Sequence, residues 1–363
     1  MFDHPGAVTV EGKAYDISNF KHPGGKVLLD FIGKDATDMF LAMHPPHSRA
    51  RRVLASLPVV YERAALHTPF QELHRQVVRL VFTDAYASRV NRFFREQAFI
   101  CCALNLAWIA CLASPALSCL VYSVSMLHAG WFVHHAMHRQ FDGYPGWLIE
   151  LTTGYSHEWW TLKHNILHHS HTNVLGKDSD IDSALFAFDP SQAGMPLQHV
   201  FFWPLLSFLR ISWCINGVTH GSSIIFLHHG IVLWLVGSYL SCAKAFVWYL
   251  TGNLLSGFML GFVVVQSHTA ETIVHDQGTD HLSHTAITTR NLPVGILNTF
   301  FTGYLNYQIE HHLFPWLPSL FFADVQPLVQ DCFAAHQLPY TQLTWMESMY
   351  KLHLHLRDVK NKK

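Results

Sequence analysis

Charged residues are scarce in this chain of 363 residues. Asp, Glu, Lys and Arg together make up 13% of it, against roughly 25% in soluble domains. The 24 basic residues are balanced by 25 acidic ones, so the formal net charge of −1 provides no basic field for nucleic acid. None of the seven cysteines belongs to a C-x-x-C pair, which argues against a disulfide framework or a cysteine-based zinc site. These absences exclude a nucleic-acid-binding protein and a disulfide-stapled secreted protein.

Apolar residues are abundant instead, and they form three long runs without a single Asp, Glu, Lys or Arg. These runs cover residues 98–133, 211–243 and 245–270. A helix crosses the roughly 30 Å of bilayer hydrocarbon with about 20 residues, and turns at Pro115 and Lys244 would divide the runs into separate helices. The sequence therefore predicts a mainly α-helical integral membrane protein, the alternative being a large soluble protein with buried helices. The four predicted spans lie at about 98–114, 116–133, 222–240 and 245–265.

The distribution of basic residues predicts the orientation in the membrane. If both tight turns face one side, that side carries Lys244 as its only basic residue, and the positive-inside rule makes the other side cytoplasmic. Both termini and the histidine-rich segments are then cytoplasmic. Residues 1–97 contain no long apolar run, so we expect no secretory signal before the first span. We expect an amphipathic linker at 63–97 and a short interfacial element at 201–208, each of which either lies on the bilayer or packs on the protein.

The first 62 residues are polar and carry their own motif. In order, the motif consists of Tyr15-Asp16-Ile17, His22-Pro23-Gly24-Gly25, Asp35-Ala36-Thr37-Asp38-Met39-Phe40 and His44. This pattern resembles cytochrome b5, in which two histidines hold haem b and leave no axial position of the iron open. The resemblance implies a small α+β haem domain at 1–62 with His22 and His44 as iron ligands, and with His47 as the alternative to His44. The strand and helix that usually precede this region are missing, so we expect a shortened module.

Histidine is unusually frequent, with 28 residues, and eight of these, not counting His135, lie in three spaced groups or just beyond the last predicted span. Box one is His134-His135-Ala136-Met137-His138, box two is His164-Asn165-Ile166-Leu167-His168-His169, box three is Gln308-Ile309-Glu310-His311-His312, and His268 lies just beyond the last predicted span. Histidines at positions i and i+4 project from one face of a helix toward one metal. Eight neutral imidazoles would supply about four ligands to each of two metals, and iron, zinc, copper and nickel all suit such ligands. The alternative is that these histidines form ordinary hydrogen bonds at a membrane interface and bind no metal.

The three boxes read H-x-x-x-H, H-x-x-x-H-H and Q-x-x-H-H, and together with the amino-terminal module they resemble a front-end fatty acid desaturase. The glutamine that opens box three is the discriminating mark, because other membrane desaturases carry histidine there. The resemblance implies that Gln308 binds metal weakly or lines the site. It also implies two iron ions whose ligands are His134, His138, His164, His168, His169, His268, His311 and His312.

Other polar residues near the boxes are candidates for supporting roles. We expect carboxylates to orient the imidazoles, as they commonly do for metal-bound histidine. His135 stands where the family usually has such an aspartate, so box one lacks the carboxylate that would fix the tautomer and orientation of an imidazole. The candidate carboxylates are Asp178, Asp180 and Glu310. The histidines without an assigned role near the boxes or inside the third predicted span are His157, His171, His228 and His229.

The resemblance implies an O2-dependent enzyme that inserts a cis double bond between an existing double bond and the head group of a polyunsaturated acyl chain. Coenzyme A or a phospholipid would carry that chain, and an NAD(P)H-dependent cytochrome b5 reductase would supply electrons through the haem module. The desaturase domain would be 98–363, in the membrane of the endoplasmic reticulum. Related alternatives are a sphingolipid long-chain-base desaturase and a lipid hydroxylase. The alternative of another class is a histidine-rich membrane zinc hydrolase or receptor.

Overall fold

Helices dominate the computed structural model, which describes residues 6–138, 145–275, 278 and 280–361. One three-stranded sheet lies near the amino terminus. The predicted fold class, a mainly helical chain with a small α+β module, is confirmed.

The amino-terminal module is built around an antiparallel sheet. Its strands are Ala7–Val10, Lys13–Asp16 and Val59–Glu62, paired in that order. Glu11 and Gly12 join the first two strands, and both have positive φ, as the favoured two-residue hairpin turn requires. The module is completed by a 3-10 helix and two α-helices, Gly25–Phe31, Thr37–Met43 and Arg49–Ser56. Its apolar core consists of Val8, Val10, Tyr15, Ile17, Phe31 and Ala36.

The rest of the described chain is almost entirely helical. Its α-helices are Pro69–Val81, Tyr86–Ala110, Pro115–Met137, Gly146–Thr153, His157–Trp160, Gln198–Leu205, Leu209–Thr219, Ile224–Gly237, Cys242–Val264, His281–Thr288, Ile296–Thr302, Gln308–Leu313, Phe322–Ala335 and Trp345–Asp358. One π-helix and three 3-10 turns supplement them, at Thr161–His168, Leu206–Phe208, Ser319–Phe321 and Val359–Asn361. Helices Tyr86–Ala110 and Cys242–Val264 both pack along Pro115–Met137, which is the central helix of the bundle.

Three helices among the described residues are long and apolar enough to cross a membrane. They are Pro115–Met137, Gln198–Thr219 and Cys242–Val264. The first and the third coincide with the predicted spans at 116–133 and 245–265. The segment 201–208, predicted as a separate interfacial element, is instead part of the second helix, which continues through a 3-10 turn. The helix is thus longer than the predicted element, whose place at the membrane interface stays a prediction.

The other two predicted spans match the observed helices less closely. The span at 98–114 occupies the second half of helix Tyr86–Ala110, whose first half carries charged residues. The span at 222–240 contains only the 14-residue helix Ile224–Gly237. At about 1.5 Å per residue this helix is roughly 21 Å long, which is less than the 30 Å of hydrocarbon. The count of four spans thus stays a prediction.

The segment predicted as an amphipathic linker contains the helix Pro69–Val81. Its apolar face consists of Leu73, Val77 and Val81, and each of these is at most 1% exposed. They lie in the main core, and the helix packs against Phe322–Ala335. Of the two alternatives, the helix therefore packs on the protein rather than on a bilayer.

The loop before box three is locked onto the helix that carries box one. The Trp131 Nε1–H donates a hydrogen bond to the Phe301 carbonyl oxygen at 3.0 Å. Gly303 has a φ of +58°, and a Cβ there would lie 2.2 Å from a ring atom of Trp131, so only glycine fits. This close approach brings the end of Pro115–Met137 next to helix Gln308–Leu313.

Candidate metal centre

Four separate segments bring the eight predicted histidines together. Box one lies at the end of helix Pro115–Met137, box two on the π-helix Thr161–His168, box three on helix Gln308–Leu313, and His268 just after helix Cys242–Val264. Six of the eight are buried, whereas His164 and His268 are partly buried. Residues far apart in the sequence thus form one interior cluster.

The first set of imidazoles consists of His134, His138, His164 and His311. Their ligand nitrogens all lie within 4.8 Å of one another. The Nε2 atoms of His134 and His164 are 3.0 Å apart, which allows both lone pairs to reach one ion at about 2 Å from each nitrogen. We call these four residues the first set, and they suit a metal with four imidazole ligands.

The second set consists of His168, His268 and His312, whose ligand nitrogens also lie within 4.8 Å of one another. His169 stands between the two sets. Its Nε2 is 3.4 Å from that of His164, and its ring stacks on His312 with centroids 4.3 Å apart. It also groups with both histidines of box three. The two sets are therefore neighbours with His169 as the residue they share.

Box two serves both sets because its helix is wider than an α-helix. Residues Thr161–His168 form a π-helix, in which i to i+5 hydrogen bonds replace the usual i to i+4 bonds. His164 joins the first set and His168 joins the second, while both also come within 4.8 Å of an Asp180 carboxylate oxygen. The i, i+4 spacing in a regular α-helix would have directed both rings to a single metal.

Asp178 is the partner of His168. Its carboxylate oxygens lie 3.0 and 3.1 Å from Nδ1 of His168, and they also accept the backbone N–H groups of Asn173 and Asp180. Asp180 lies farther away, 3.5 Å from the same nitrogen, and it pairs with Lys163. Burial alone would lower the pKa of His168, but the carboxylates of Asp178 and Asp180 raise it above its ordinary value. A carboxylate on the far nitrogen is the arrangement that commonly orients metal-bound histidine.

Two other rings of the second set are oriented by uncharged groups. Nδ1 of His312 lies 3.1 Å from Oγ1 of Thr172, whose own proton goes to the carbonyl oxygen of His168. Nδ1 of His268 lies 3.1 Å from the carbonyl oxygen of Thr288. In both cases Nδ1 must be the donor, because its partner acts as an acceptor. The lone pair is therefore on Nε2, where it is available to a metal.

Several ring nitrogens of the cluster have no hydrogen-bond partner among the described residues. These buried nitrogens belong to His134, His138, His169, His311 and His312. Buried polar atoms are rarely left unpaired, so converging unpaired imidazole nitrogens fit a metal site. Burial, and then the neighbouring imidazoles, lower the pKa values well below the ordinary range at His164, His169, His311 and His312. Rings with such pKa values are neutral and able to bind metal.

The remaining polar residues of box three differ in their contacts. Gln308 is 5% exposed, and its Oε1 has no hydrogen-bond partner among the described residues. Glu310, a candidate for orienting an imidazole, instead accepts hydrogen bonds from Tyr340 Oη at 2.6 Å and Asn291 Nδ2 at 2.8 Å. Asn291 Oδ1 in turn accepts the backbone N–H of Ile309 at 2.8 Å. Glu310, whose pKa is raised by burial, thus holds the box-three helix in place.

His135 belongs to neither set. Its ring nitrogens lie 3.4 and 3.5 Å from Oγ of Ser319, and its ring contacts Phe93. The residue that replaces the usual aspartate of box one is therefore part of the surrounding packing.

Two histidines that brace the cluster were missed by sequence reasoning. Nε2 of His281 lies 3.1 Å from the carbonyl oxygen of His312, and Nε2 of His284 lies 2.8 Å from the carbonyl oxygen of Thr172. Both are on helix His281–Thr288. Their H-x-x-H spacing is visible in the sequence, but their partners are backbone atoms that no motif records.

The two predicted haem ligands face each other in the amino-terminal module. The ring centroids of His22 and His44 are 6.2 Å apart with an angle of 81° between the rings. Two metal–nitrogen bonds of roughly 2 Å in line require about this separation. Nδ1 of His44 lies 3.0 Å from the Phe40 carbonyl oxygen, which leaves the lone pair on Nε2. The Gly24 N–H donates to Nδ1 of His22 at 3.1 Å, a bond that ligation through Nε2 would replace.

His47, the alternative to His44, lies elsewhere. It is exposed, and its ring meets the ring of Phe82 edge-on, with centroids 5.5 Å apart. Burial lowers the pKa of His22, so this ring is neutral at physiological pH. The pair that fits a haem with two axial imidazoles is His22 with His44.

Comparison with known protein families agrees with both sites. The family described as "Fatty acid desaturase" matches residues 106–344, which include all eight clustered histidines. The chain belongs to the fatty acid desaturase family. The "Cytochrome b5-like Heme/Steroid binding domain" matches residues 3–63. The chain is therefore an oxidoreductase with a fused cytochrome b5-like domain, and these families imply iron and haem as cofactors and a lipid substrate in a membrane.

Individual relatives are similar over nearly the whole chain. The "Acyl-lipid (9-3)-desaturase" of Physcomitrium patens is 30% identical, covering 97% of this chain and 75% of the relative. The "Acyl-lipid 8-desaturase" of Rebecca salina is 26% identical, covering 92% and 87%. "Fatty acid desaturase 3" of Homo sapiens is 27% identical, covering 93% and 86%. The resemblance to front-end fatty acid desaturases is confirmed.

Proposed function

We propose that this desaturase acts on polyunsaturated acyl lipids and inserts a cis double bond between an existing double bond and the carboxyl end. The observation that carries the proposal is the convergence of eight histidines into two adjacent sets, on the same chain as a haem-ligand pair. A zinc hydrolase or receptor has no use for the haem pair, and a simple electron carrier has no use for the two sets. Oxygen-dependent desaturation uses both.

In this proposal each set binds one iron ion. The ligands are His134, His138, His164 and His311 for one ion and His168, His268 and His312 for the other, with His169 between them and Gln308 lining the site. A bound iron pair supplies, with O2, an oxidant strong enough for an unactivated C–H bond. Haem b held by His22 and His44 supplies electrons one at a time.

The chain's own residues prepare the site. Burial of the rings excludes water, which limits leakage of reactive oxygen species. The lowered pKa values of His164, His169, His311 and His312 keep these rings unprotonated, so that no proton has to leave before metal binds. Asp178 holds His168 in the tautomer whose Nε2 lone pair is directed to the metal.

The proposal includes an arrangement in the membrane. It places a haem domain at 1–62, a linker at 63–97 and the desaturase domain at 98–363. Four membrane crossings keep both termini and both histidine sites on the cytoplasmic side of the endoplasmic reticulum, where an NAD(P)H-dependent cytochrome b5 reductase reaches the haem domain. The lengths of Pro115–Met137 and Cys242–Val264 support two of these crossings.

Related oxygen-dependent reactions are separated by their products. A sphingolipid long-chain-base desaturase would modify a sphingoid base, and a hydroxylase would leave a hydroxyl group. The names of the relatives from Physcomitrium patens and Rebecca salina favour an acyl-lipid substrate over a coenzyme A thioester.

The test is expression in yeast cells that are fed individual polyunsaturated fatty acids. Mass spectrometry then locates new double bonds in phospholipid and coenzyme A fractions. We expect one new cis double bond on the carboxyl side of an existing one, lost completely in His168→Ala and retained in His336→Ala, an exposed histidine outside the cluster. A hydroxylated product, or conversion that persists in His168→Ala, would contradict the proposal.

A further inference from the structure

The haem module touches the segment that carries box two. Asp30 and Phe31 end the 3-10 helix Gly25–Phe31, which begins in the turn that follows His22. Oδ2 of Asp30 lies 3.0 Å from Nε2 of His171. The ring of Phe31 stacks on the ring of His171, with centroids 6.1 Å apart and an angle of 10°. The module thus contacts His171 through a carboxylate and through a ring face.

His171 belongs to the end of the metal-binding helix. It lies two residues after His169, is 2% exposed, and its backbone N–H bonds to the carbonyl oxygen of His168 at 3.2 Å. The next residue, Thr172, orients the ring of His312. His171 therefore connects the haem module to ligands of the second set through directly adjacent residues.

A second contact joins the other haem-ligand segment to box three. Leu41 lies on helix Thr37–Met43, which ends directly before His44. The carbonyl oxygen of Leu41 accepts a hydrogen bond from Trp316 Nε1 at 3.2 Å. Trp316 follows His312 by four residues, and both it and Leu41 are buried. Each of the two haem-ligand segments is thus attached to one metal-ligand segment.

Lys177 adds a charge pair at the edge of this interface. Its Nζ lies 3.1 Å from Oδ1 of Asp30, and the two side chains are 38% and 39% exposed. Half-exposed pairs contribute little to folding stability, but complementary charges determine which orientation of two surfaces is favoured. Reversing one charge should therefore disturb docking without unfolding the chain.

We propose that the contact of His171 and Lys177 with Asp30 and Phe31 holds the haem module in the orientation from which electrons reach the histidine sets. The inference rests on the proposed function. In each transfer the haem loses one electron and one metal ion of the sets gains it, while no bond forms or breaks and no proton moves at His171. A flavoprotein reductase that oxidises NAD(P)H resupplies the haem. His171 is a positioning residue, because it acts through the neighbouring ligands.

The test uses the full-length protein loaded with iron and haem in phospholipid vesicles that contain polyunsaturated acyl chains. The haem is reduced with NADH and cytochrome b5 reductase, oxygen is added, and the absorbance of reduced haem is followed with and without the acyl substrate. Asp30→Lys places a like charge opposite Lys177, and we expect it to slow the substrate-dependent reoxidation by about tenfold or more. The rate of haem reduction and the haem spectrum should stay unchanged.

Four further variants make the result specific. The exchange Asp30→Lys with Lys177→Asp restores the charge pair but not the contact with His171, so it should recover part of the reoxidation rate. The matched control is Glu62→Lys, a charge reversal at an exposed position of the same module, and it should leave the rate unchanged. His171→Ala removes both the polar contact and the ring stack, so it should slow reoxidation more than His171→Phe, which keeps a ring.

The outcomes separate this inference from the proposed function. Reoxidation at the wild-type rate in Asp30→Lys, or no recovery in the exchanged pair, would overturn the docking inference while leaving desaturation intact. A wild-type protein that forms no double bond overturns the proposed function instead. If Asp30→Lys fails to bind haem, Lys177→Glu leaves the haem module unaltered and carries the same expectation.

Discussion

The two histidine sites of this chain are constructed in different ways. The proposed haem pair, His22 and His44, comes from one small module, and both rings are partly buried. The metal cluster takes eight histidines from four segments of the larger domain and buries six of them. A porphyrin supplies most of the ligands of its iron and also brings a large apolar surface. The protein therefore needs to add only two imidazoles. Metal ions without such a group need every ligand from the chain, which only the tertiary fold can provide.

The difference implies that the sites can be lost independently. The largest effect is expected from His311→Ala, because His311 groups with histidines around both metal positions. We expect desaturation to fall below detection and bound iron to fall by at least half, since the first set loses one of four ligands. The haem spectrum should remain that of the wild type. Iron and haem are measured on the same purified sample, and loss of haem together with iron would show that the sites are coupled in folding.

The reverse experiment removes the haem ligand. His44→Ala should abolish the haem absorbance, because one axial imidazole cannot hold the group as two do, while the iron content stays unchanged. His47→Ala is the matched control, three residues further along the chain and exposed, and it should keep the wild-type haem spectrum. Loss of haem from His47→Ala and its retention in His44→Ala would assign the second ligand to His47.

A smaller effect is expected from the groups around the metal cluster. Asp178→Asn keeps the size of the side chain but removes the charge that orients His168. Such partners commonly contribute about 10- to 100-fold to activity or metal affinity, and we expect a loss of desaturation in that range. Glu310→Gln is the comparison, since its carboxylate contacts Tyr340 and Asn291 rather than an imidazole. It should retain more activity than Asp178→Asn, and equal losses would argue against a special role for Asp178.

The smallest effect on metal binding is expected at His135. His135→Asn should leave the iron content unchanged and lower activity only a few-fold, because the ring contacts Ser319 and Phe93 and lies outside both sets. Iron per protein and product formation are compared with those of His134→Asn. Equal loss of iron in the two variants would mean that His135 is a ligand after all.

Sequence motifs predicted the histidines that the fold brings together at both candidate sites, but not how the eight histidines of the cluster are divided between the two sets. The spacing of His134 and His138 correctly places both rings in one set, as a regular helix requires. The same spacing in His164 and His168 is misleading, because hydrogen bonding in box two follows the π pattern, which composition does not reveal. His171 was left without a role, since its partner Asp30 lies on a different domain.

Helix lengths were predicted less well than helix positions. Absence of charge defines the apolar runs but does not show where a helix ends inside them. Gly221, with a φ of +90°, lies in the turn after helix Leu209–Thr219, and the helix expected from 222 begins only at Ile224. Conversely, the charged residues before 98 did not stop helix Tyr86–Ala110, which extends along the protein beyond the apolar run.

Because box two is a π-helix, the placement of its rings at two metal positions depends on how many residues separate its histidines. A π turn resembles an α turn with one residue inserted, and each residue of an α-helix rotates the chain by about 100°. Deletion of a single codon between His164 and His168, for example that of Ile166, would leave the two histidines three residues apart in an α turn, a spacing that no longer directs their rings as the π-helix does. All eight histidines would still be encoded, yet the ligand sets would be separated. Such a reading-frame-preserving deletion would shorten box two to H-x-x-H-H, and we expect it to inactivate the enzyme.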